Sequence, residues 1–341
     1  MRNASRVPVG DGRGTFEPMA RRGGWRRLGR RRFRYVDSRG RQITDEDALE
    51  RIRSLAIPPA WTEVWISPNA GAKLQATGED AAGRRQYLYH ERFRAAQERE
   101  KFERLLTFGT RLPALRSRLA RDLRLGPYEQ EWACALALRL VNKAWFRVGS
   151  DRHARASRTY GITTLTKRHL TLSGDEIAFC FRGKNRRLVR HTLRDASLAR
   201  ELSALLELPG GARLFRFERE EEVANLTAPL LNEYIGDRLG DGFTAKDFRT
   251  WGGTLVAAVA LARHGPPSDD ADAKRTLASA MRKVGAELGN TPAVARASYV
   301  SPAVVEHYLA GRTIDDFRPR SRKSGLGTDE HALLRMLRSR R

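Results

Sequence analysis

Residues 161–193 carry the sequence GITTLTKRHLTLSGDEIAFCFRGKNRRLVRHTL, which interrupts a chain that is otherwise helical in pattern from residue 93 onward. Short apolar and β-branched runs alternate here with turn residues, a pattern typical of antiparallel strands. The stretch predicts three strands, the last two joined by a tight turn at GKN, residues 183–185. A short sheet set within helical sequence indicates the α+β class.

Helical sequence surrounds this predicted sheet. Phe93, Ala96, Phe102 and Leu105 recur at helical spacing, with charged residues on the other face. A second apolar helix is predicted after Gly126-Pro127, running to Phe146. The same reasoning predicts later helices at 193–207, 219–240, 244–264, 270–289 and 329–340.

The sequence before residue 93 has a different character. Aromatic and β-branched runs flank the turn signal DSRG (37–40), and TEVWI, KLQATG and RRQYLYH predict further strands. Residues 1–24 are rich in Gly and Arg without periodicity. We therefore expect a basic disordered tail at 1–24, a small antiparallel β-rich domain at 25–92, and a mainly α-helical domain at 93–341.

The charge balance limits the class of partner. The chain has 64 Lys and Arg against 40 Asp and Glu, a formal net charge of +24, which favours a polyanion. Nucleic acid is the leading candidate. An anionic membrane surface is the minor alternative, since no run approaches the roughly 18 apolar residues of a spanning helix.

The cysteines and histidines give no sign of a metal site. Cys134 and Cys180 both lie in apolar runs, which fits two small buried side chains in a reducing cytoplasm. No Cys/His cluster has the spacing of a zinc site. We therefore expect a cytoplasmic protein that uses neither metal nor cofactor.

Tyr299 is a candidate reactive residue because its neighbours in LGNTPAVARASYV (288–300) are small or polar rather than typical of a core. A phenol with its ordinary pKa of about 10 is a weak nucleophile and needs nearby cations. Four other residues occupy unusual local settings that could supply such a neighbourhood: Arg147 before Gly149, Lys184 at the predicted hairpin tip, Arg249 within an apolar helix, and Asn290 at a helix end.

Each of these residues also has a structural interpretation. Arg147 can cap its own helix, Lys184 can be a solvated turn lysine, Arg249 can pair with Asp247 or Asp241, Asn290 is common at helix ends, and Tyr299 can be a packed residue with a bonded hydroxyl. Taken singly, none of the five separates the functional interpretation from the structural one.

Six blocks of sequence, taken in order, are more specific. They are LAIPPAWTEVWISP (55–68), LQATGEDAAGRRQYLYHERF (74–93), FRVGSDRHARASRTYGITTL (146–165), FRGKN (181–185), AKDFRTWGGT (245–254) and LGNTPAVARASYVSPAVV (288–305). This series, which extends over nearly the whole chain, resembles the type IB DNA topoisomerases, specifically the short poxvirus-like and bacterial form.

The resemblance implies a set of catalytic roles. It makes Tyr299 the nucleophile, Arg147, Lys184 and Arg249 catalytic cations, Asn290 the fifth member, and Lys246 an accessory residue. Guanidinium groups suit the charge that gathers on a phosphodiester under attack, and a lysine among other cations releases its proton more easily. Tyr299 would become bonded to the 3′-phosphate, so that religation needs neither ATP nor metal.

Asn290 departs from the viral pattern, which has histidine at this place. An amide NH₂ can donate a hydrogen bond to a phosphate oxygen but cannot transfer a proton. The resemblance therefore implies a neutral donor at this position rather than an acid or base.

The resemblance also implies a partner and a shape. We expect a nucleoid-associated monomer that surrounds double-stranded DNA as a C-shaped clamp, with the β-rich domain on the opposite face of the duplex. Gln75, Tyr87 and Tyr89 would touch phosphates or major-groove edges. The alternative for the two tyrosines, which share one strand face, is packing against neighbouring strands.

Two other functions fit part of the pattern. A tyrosine recombinase shares the covalent chemistry, but recombinases usually carry histidine where KDFR places Lys246. A non-catalytic basic DNA-binding protein would not need Tyr299, Lys184 and the two arginines together. The topoisomerase is the prediction that uses all of these residues.

Overall fold

The computed structural model describes residues 23–29, 32–81, 83–319 and 325–339. The predicted tail at 1–24 lies outside the described residues except for its last two positions. The chain divides into two compact units, Met1–Lys101 and Phe102–Arg341.

The first unit contains a five-stranded antiparallel sheet. Its order is β2-β1-β3-β4-β5, formed by β1 Trp25–Leu28, β2 Arg34–Val36, β3 Thr62–Ile66, β4 Leu74–Glu79 and β5 Arg85–Tyr89. The three later strands agree with the predicted runs. At DSRG the chain does turn back, since Asp37 N donates to Arg41 O, but the second arm forms only a single bridge, from Val36 to Gln42.

One helix in this unit was not predicted. Helix α1, Glu46–Ser54, begins after Asp45, whose carboxylate accepts a hydrogen bond from Ala48 N at 2.8 Å. Such a cap, followed by acidic residues in the first turn, is a recognisable start signal. The helix contributes Ile52 to a small core that it shares with Val64, Ile66 and Ala76.

The remainder of the chain is mainly helical. The helices are α2 Glu91–Asp122, α3 Gln130–Ala144, α4 Asp151–Ser157, α5 Ala196–Glu207, α6 Ala228–Leu239, α7 Ala245–His264, α8 Asp270–Leu288, α9 Pro292–Tyr299, α10 Pro302–Leu309 and α11 Thr328–Arg338. Helix α3 is buried along most of its length, and α7 packs against α3, α8, α9, α10 and α11. Within the described ranges, every helix is too short or too polar to cross a membrane.

The interruption at 161–193 forms the predicted three-stranded sheet. Strands β6 Leu170–Ser173, β7 Glu176–Arg182 and β8 Leu188–Arg194 are antiparallel in the order β6-β7-β8. Alternate residues of β7, Ile177, Phe179 and Phe181, face the core. The α+β class is confirmed: a small antiparallel sheet is followed by a helical region that carries a short three-stranded sheet.

The helix predicted at 219–240 is wrong in its first third. A hairpin of β9 Arg216–Arg219 and β10 Glu222–Asn225 precedes α6. Both turn residues, Glu220 and Glu221, have left-handed φ values of 53° and 65°. Glutamate favours helices, but the fully buried Arg216 binds backbone carbonyls at the end of α5 and anchors the strand. Tertiary contacts override local propensity here.

Candidate active site

Arg147 lies beyond the end of α3, three residues after its last helical residue. The helix stops because Trp145 adopts a left-handed conformation, with φ 51° and ψ 33°. The Arg147 carbonyl then accepts a hydrogen bond from Ile162 N at 2.7 Å, and a Cβ atom on Gly161 would lie only 2.5 Å from that oxygen. Close backbone pairing with the 161–163 segment therefore fixes the position of Arg147.

Arg249 lies in α7 and is almost fully buried, with 5% of its surface exposed. Its Nη2 donates to Leu288 O at 2.8 Å, and its Nη1 donates to Trp145 O. Asp247, the ion-pair partner considered from sequence, lies 3.4 Å from Arg104 instead. Among the described residues no carboxylate pairs with Arg249, and these two backbone carbonyls accept hydrogen bonds from its guanidinium group.

Both arginines bind the carboxyl end of α8. Arg147 Nη2 donates to Gly289 O at 3.1 Å, beside the bond from Arg249 to Leu288. The last carbonyls of a helix carry partial negative charge, which offsets the repulsion between two nearby cations. Arg147 therefore caps a helix other than its own, at a site that α3, α7 and α8 form together.

Asn290 follows this helix end and contacts Arg147 directly. Its Oδ1 accepts a hydrogen bond from Arg147 Nη2 at 2.7 Å, while its Nδ2 lies 3.4 Å from Leu288 O. The backbone turns sharply here, with Asn290 N donating to Gly285 O at 2.7 Å. The amide group thus orients Arg147, and of its two N–H donors one is directed at Leu288 O and the other is left for a further acceptor.

Tyr299 is the last residue of α9 and lies against Arg249. The guanidinium carbon of Arg249 is 5.1 Å from the centroid of the Tyr299 ring, a cation–π distance. The Tyr299 carbonyl accepts a hydrogen bond from Thr254 Oγ1 at 3.1 Å, one turn farther along α7. Helix α7 therefore holds both the backbone and the ring of this tyrosine.

The electrostatics of the site favour an ionised phenol. Burial by itself raises the pKa of Tyr299, but the charge of Arg249, followed by those of Arg147 and Lys246, lowers the pKa below its ordinary value. Burial, with the nearby charge of Arg249, lowers the pKa of Arg147 to about 10. A tyrosine among cations without carboxylate partners is the arrangement that a phenolic nucleophile requires.

Lys184 lies at the tip between β7 and β8, with its side chain exposed. The tip borders a cleft of about 450 Å³, whose lining includes Arg147, Lys184, Arg187, Arg249 and Asn290. Lys246 is exposed at the second position of α7, one turn before Arg249. The structure thus brings Arg147, Lys184, Arg249 and Asn290 to one cleft. Tyr299 contacts this group through Arg249, whereas Lys246 is not part of the cleft lining.

The three residues predicted to contact DNA in the first unit differ among themselves. Gln75 is buried, with 3% of its surface exposed. Its Oε1 accepts a hydrogen bond from Arg51 at 2.6 Å, and its Nε2 donates to Ala70 O at 2.9 Å. These bonds stabilise the loop before β4. Tyr87 and Tyr89 are exposed on the edge strand β5 and stack on each other, with ring centroids 6.2 Å apart.

Comparison with known proteins gives the family of the chain. Residues 90–312 match the family described as eukaryotic DNA topoisomerase I, catalytic core, and residues 32–80 match the bacterial DNA topoisomerase IB N-terminal domain. The DNA topoisomerase 1B of Acanthamoeba polyphaga mimivirus is 34% identical over 284 residues, covering 81% of this chain and 84% of the relative. The chain belongs to the type IB DNA topoisomerase family.

More distant relatives agree with the assignment. The DNA topoisomerase 1B of Vaccinia virus (strain Copenhagen) is 22% identical over 278 residues, covering 77% of this chain and 82% of the relative. The DNA topoisomerase I of Monkeypox virus is 23% identical over the same length. The protein is therefore a DNA topoisomerase, an isomerase whose substrate is duplex DNA.

Sequence reasoning missed several residues that shape the candidate site. Gly252 and Gly253 lie in the middle of α7, where side chains would collide with Trp145 and Tyr299 respectively. Because glycine in a helix interior costs about 1 kcal/mol relative to alanine, two in succession were a usable signal of close packing. Arg187, by contrast, resembles any charged residue in a basic turn, and nothing in the sequence singles it out.

Proposed function

We propose that this topoisomerase relaxes supercoiled DNA by cutting one strand through a 3′-phosphotyrosyl intermediate on Tyr299, without ATP or metal. The observation that carries the proposal is the contact between Tyr299 and Arg249, made next to a cleft that Arg147, Asn290 and the Lys184 tip also line. The two arginines are held by helix carbonyls rather than carboxylates, so their charge remains available to an incoming phosphate.

The cleavage step uses these groups in defined roles. Tyr299 reacts as the phenolate that the neighbouring cations favour, its proton having passed to solvent. Its Oη attacks the phosphorus, a new O–P bond forms, and the bond from phosphorus to the 5′-oxygen breaks. Arg147 and Arg249 stabilise the charge on the non-bridging oxygens through bidentate hydrogen bonds. Lys184 gives a proton to the leaving 5′-oxygen, with Arg147 as an alternative relay.

Religation reverses the same step. The 5′-hydroxyl attacks the phosphotyrosine, returns its proton to Lys184, and releases Tyr299. Because the energy of the broken linkage is stored in the phosphotyrosine, no nucleotide is consumed. While the strand is open, its free 5′ end rotates and superhelical strain is released.

Asn290 has a neutral role in this scheme. Its Oδ1 orients Arg147, and its Nδ2 can donate to a non-bridging oxygen without changing the protonation of the site. The amide therefore supports the charge stabilisation performed by Arg147 and does not act as an acid or base.

Plasmid relaxation tests this proposal. Purified full-length protein is incubated with positively and with negatively supercoiled plasmid, in EDTA and without nucleotide. We expect complete relaxation of both substrates. A strict requirement for Mg²⁺ or ATP would contradict the proposed chemistry, and a protein that merely bound the plasmid would leave its linking number unchanged.

The proposal extends to the first unit. Tyr87 and Tyr89 expose a stacked pair on the edge of the sheet, a surface suited to nucleic acid. We propose that these rings contact DNA, whereas the buried Gln75 would support that surface through the loop it braces. The monomeric clamp and the nucleoid-associated location remain predictions, to be checked by light scattering of the DNA complex and by fluorescence imaging.

A further inference from the structure

The tip that carries Lys184 has a strained backbone. Asn185 and Arg186 both adopt left-handed conformations, with φ values of 59° and 58°. Asparagine tolerates this region, but a long side chain such as that of Arg186 is disfavoured there by about 1–2 kcal/mol. The bond from Gly183 N to Arg187 O, at 2.8 Å, closes the turn. A strained tip of this kind is stable in one orientation only if contacts outside it help to hold it.

Arg187 supplies such a contact. Its Nη1 donates to the backbone carbonyl of Asn290 at 3.3 Å, across 103 residues of sequence. The bond joins the tip to the turn between α8 and α9, the segment that also positions Arg147 through Asn290 Oδ1. The Lys184 ammonium makes no hydrogen bond or ion pair among the described residues, so its place depends on the tip that carries it.

The charge around Arg187 makes this contact unusual. No carboxylate of the described residues forms an ion pair with Arg187, and its charge contributes to the lowered pKa of Arg147. Two guanidinium groups within electrostatic reach of each other repel, so the cation would otherwise turn toward solvent. The bond to the Asn290 carbonyl instead places Arg187 at the edge of the cleft that Lys184 and Asn290 also line.

We propose that Arg187 is a positioning residue for the cleavage step: by binding the Asn290 carbonyl it holds the tip so that the Lys184 ammonium reaches the leaving 5′-oxygen. This inference rests on the proposed function, in which Lys184 is the general acid. It assigns to Arg187 no contact with the scissile phosphate.

A change of leaving atom separates positioning of the acid from stabilisation of the phosphate. In a duplex with sulfur in place of the bridging 5′-oxygen, attack by Tyr299 breaks a P–S bond and releases a thiolate. A thiol has a pKa of about 8.5, so this leaving group departs without a proton. The general acid is then unnecessary, while stabilisation of the phosphate oxygens is still required.

The experiment measures the rate of single-turnover cleavage at saturating enzyme. The oxygen and sulfur duplexes share one sequence, whose cleavage position is first mapped with the wild-type protein. We expect Arg187→Ala to cleave the oxygen duplex about tenfold more slowly, part of the roughly 10²–10⁴ that a general acid contributes. On the sulfur duplex its rate should be close to that of the wild type.

Two further variants make the result decisive. Lys184→Ala should also lose cleavage of the oxygen duplex selectively, and by a larger factor. Arg194 lies at the far end of β8 and pairs with Glu176, so Arg194→Ala should cleave both duplexes at the wild-type rate. Thermal unfolding of each variant checks that the fold is retained.

The possible failures can be told apart. Equal losses by Arg187→Ala on both duplexes, or no loss on either, would overturn the positioning role while leaving the proposed function intact. If Lys184→Ala still cleaves the sulfur duplex more slowly than the wild type does, Lys184 is not the general acid. The role of Arg187 in positioning it then fails as well.

Discussion

The backbone of Tyr299 lies directly against Gly253: a Cβ atom at position 253 would be 2.7 Å from the Tyr299 carbonyl oxygen and 2.9 Å from its Cβ. Helix α7 thus carries Arg249, which contacts the Tyr299 ring. One turn later it carries Gly253, whose lack of a side chain allows the Tyr299 backbone to lie close to the helix. The distance between the nucleophile and its principal cation is set by this close approach of α9 to α7.

Substitution of Gly253 should therefore lower the cleavage rate. In Gly253→Ala the added methyl group must displace Tyr299, and a misplacement of about 1 Å can lower a rate on the order of 100-fold. We expect cleavage to fall by about that factor, as measured by single-turnover assays. The control is Gly236→Ala in α6, where nothing lies within 4 Å of the new methyl group. It should stabilise the protein by about 0.5–1 kcal/mol and cleave normally.

The pKa of Tyr299 should depend on Arg249. In the wild type, difference absorbance against Tyr299→Phe should show this phenol ionising below about pH 10. Arg249→Ala removes the main influence that lowers this pKa, so the pKa should be higher in the variant than in the wild type. Because the folded pKa is lowered, the stability gained from ionised Tyr299 is fully present above about pH 10 and is lost as pH falls through the folded pKa. An unchanged pKa in Arg249→Ala would contradict the electrostatic role of this arginine.

Loss of the Tyr299 hydroxyl should abolish covalent chemistry alone. Tyr299→Phe keeps the ring and nearly all of its packing volume, so we expect normal binding of duplex DNA and no covalent adduct. Denaturing gels of suicide substrates labelled on either side of the cut, with peptide mapping of the wild-type adduct, measure this. An adduct at another residue, attachment through a 5′-phosphate, or near-normal relaxation by the variant would each refute the mechanism.

Arg147 and Arg249 should act mainly in the transition state. A preorganised donor of this kind is worth roughly 2.7–4 kcal/mol, so Arg147→Ala and Arg249→Ala should each slow cleavage by about 10²–10³. Equilibrium binding to uncleaved duplex should change little. Comparable losses in binding and cleavage would instead show that the two arginines only bind phosphate groups of the DNA. Arg194→Ala again provides a control for the loss of one positive charge.

Binding itself should depend steeply on salt. A chain with a net charge of +24 displaces condensed counterions when it covers a duplex. Between about 50 and 200 mM salt we expect the affinity to fall by several orders of magnitude, as for proteins with many phosphate contacts. Titration of a fluorescent duplex measures the slope, and a flat dependence would argue against extensive contact with the backbone.

Much of the fold follows from local pattern. The strands at 170–194 and the helices α7 and α8 were predicted within a few residues, because alternation and helical spacing record which face of each element is buried. The hairpin at 216–225 was missed for the opposite reason, since its turn consists of two glutamates that favour helix. Helix α9, which carries Tyr299, was not predicted either, although Thr291 caps it and Pro292 begins it.

By itself, the sequence determined the order of elements, the excess of positive charge and the residue types that a phosphoryl transfer by tyrosine requires. Only the tertiary structure decided how those residues meet. Arg147 binds Gly289 and Asn290 across 142 and 143 positions, and Arg249 reaches Trp145 across 104. Local propensity acts over a few residues, whereas contacts of this length exist only because α3, α7 and α8 pack together, and the carboxyl end of α8 then supplies the carbonyls that both arginines bind.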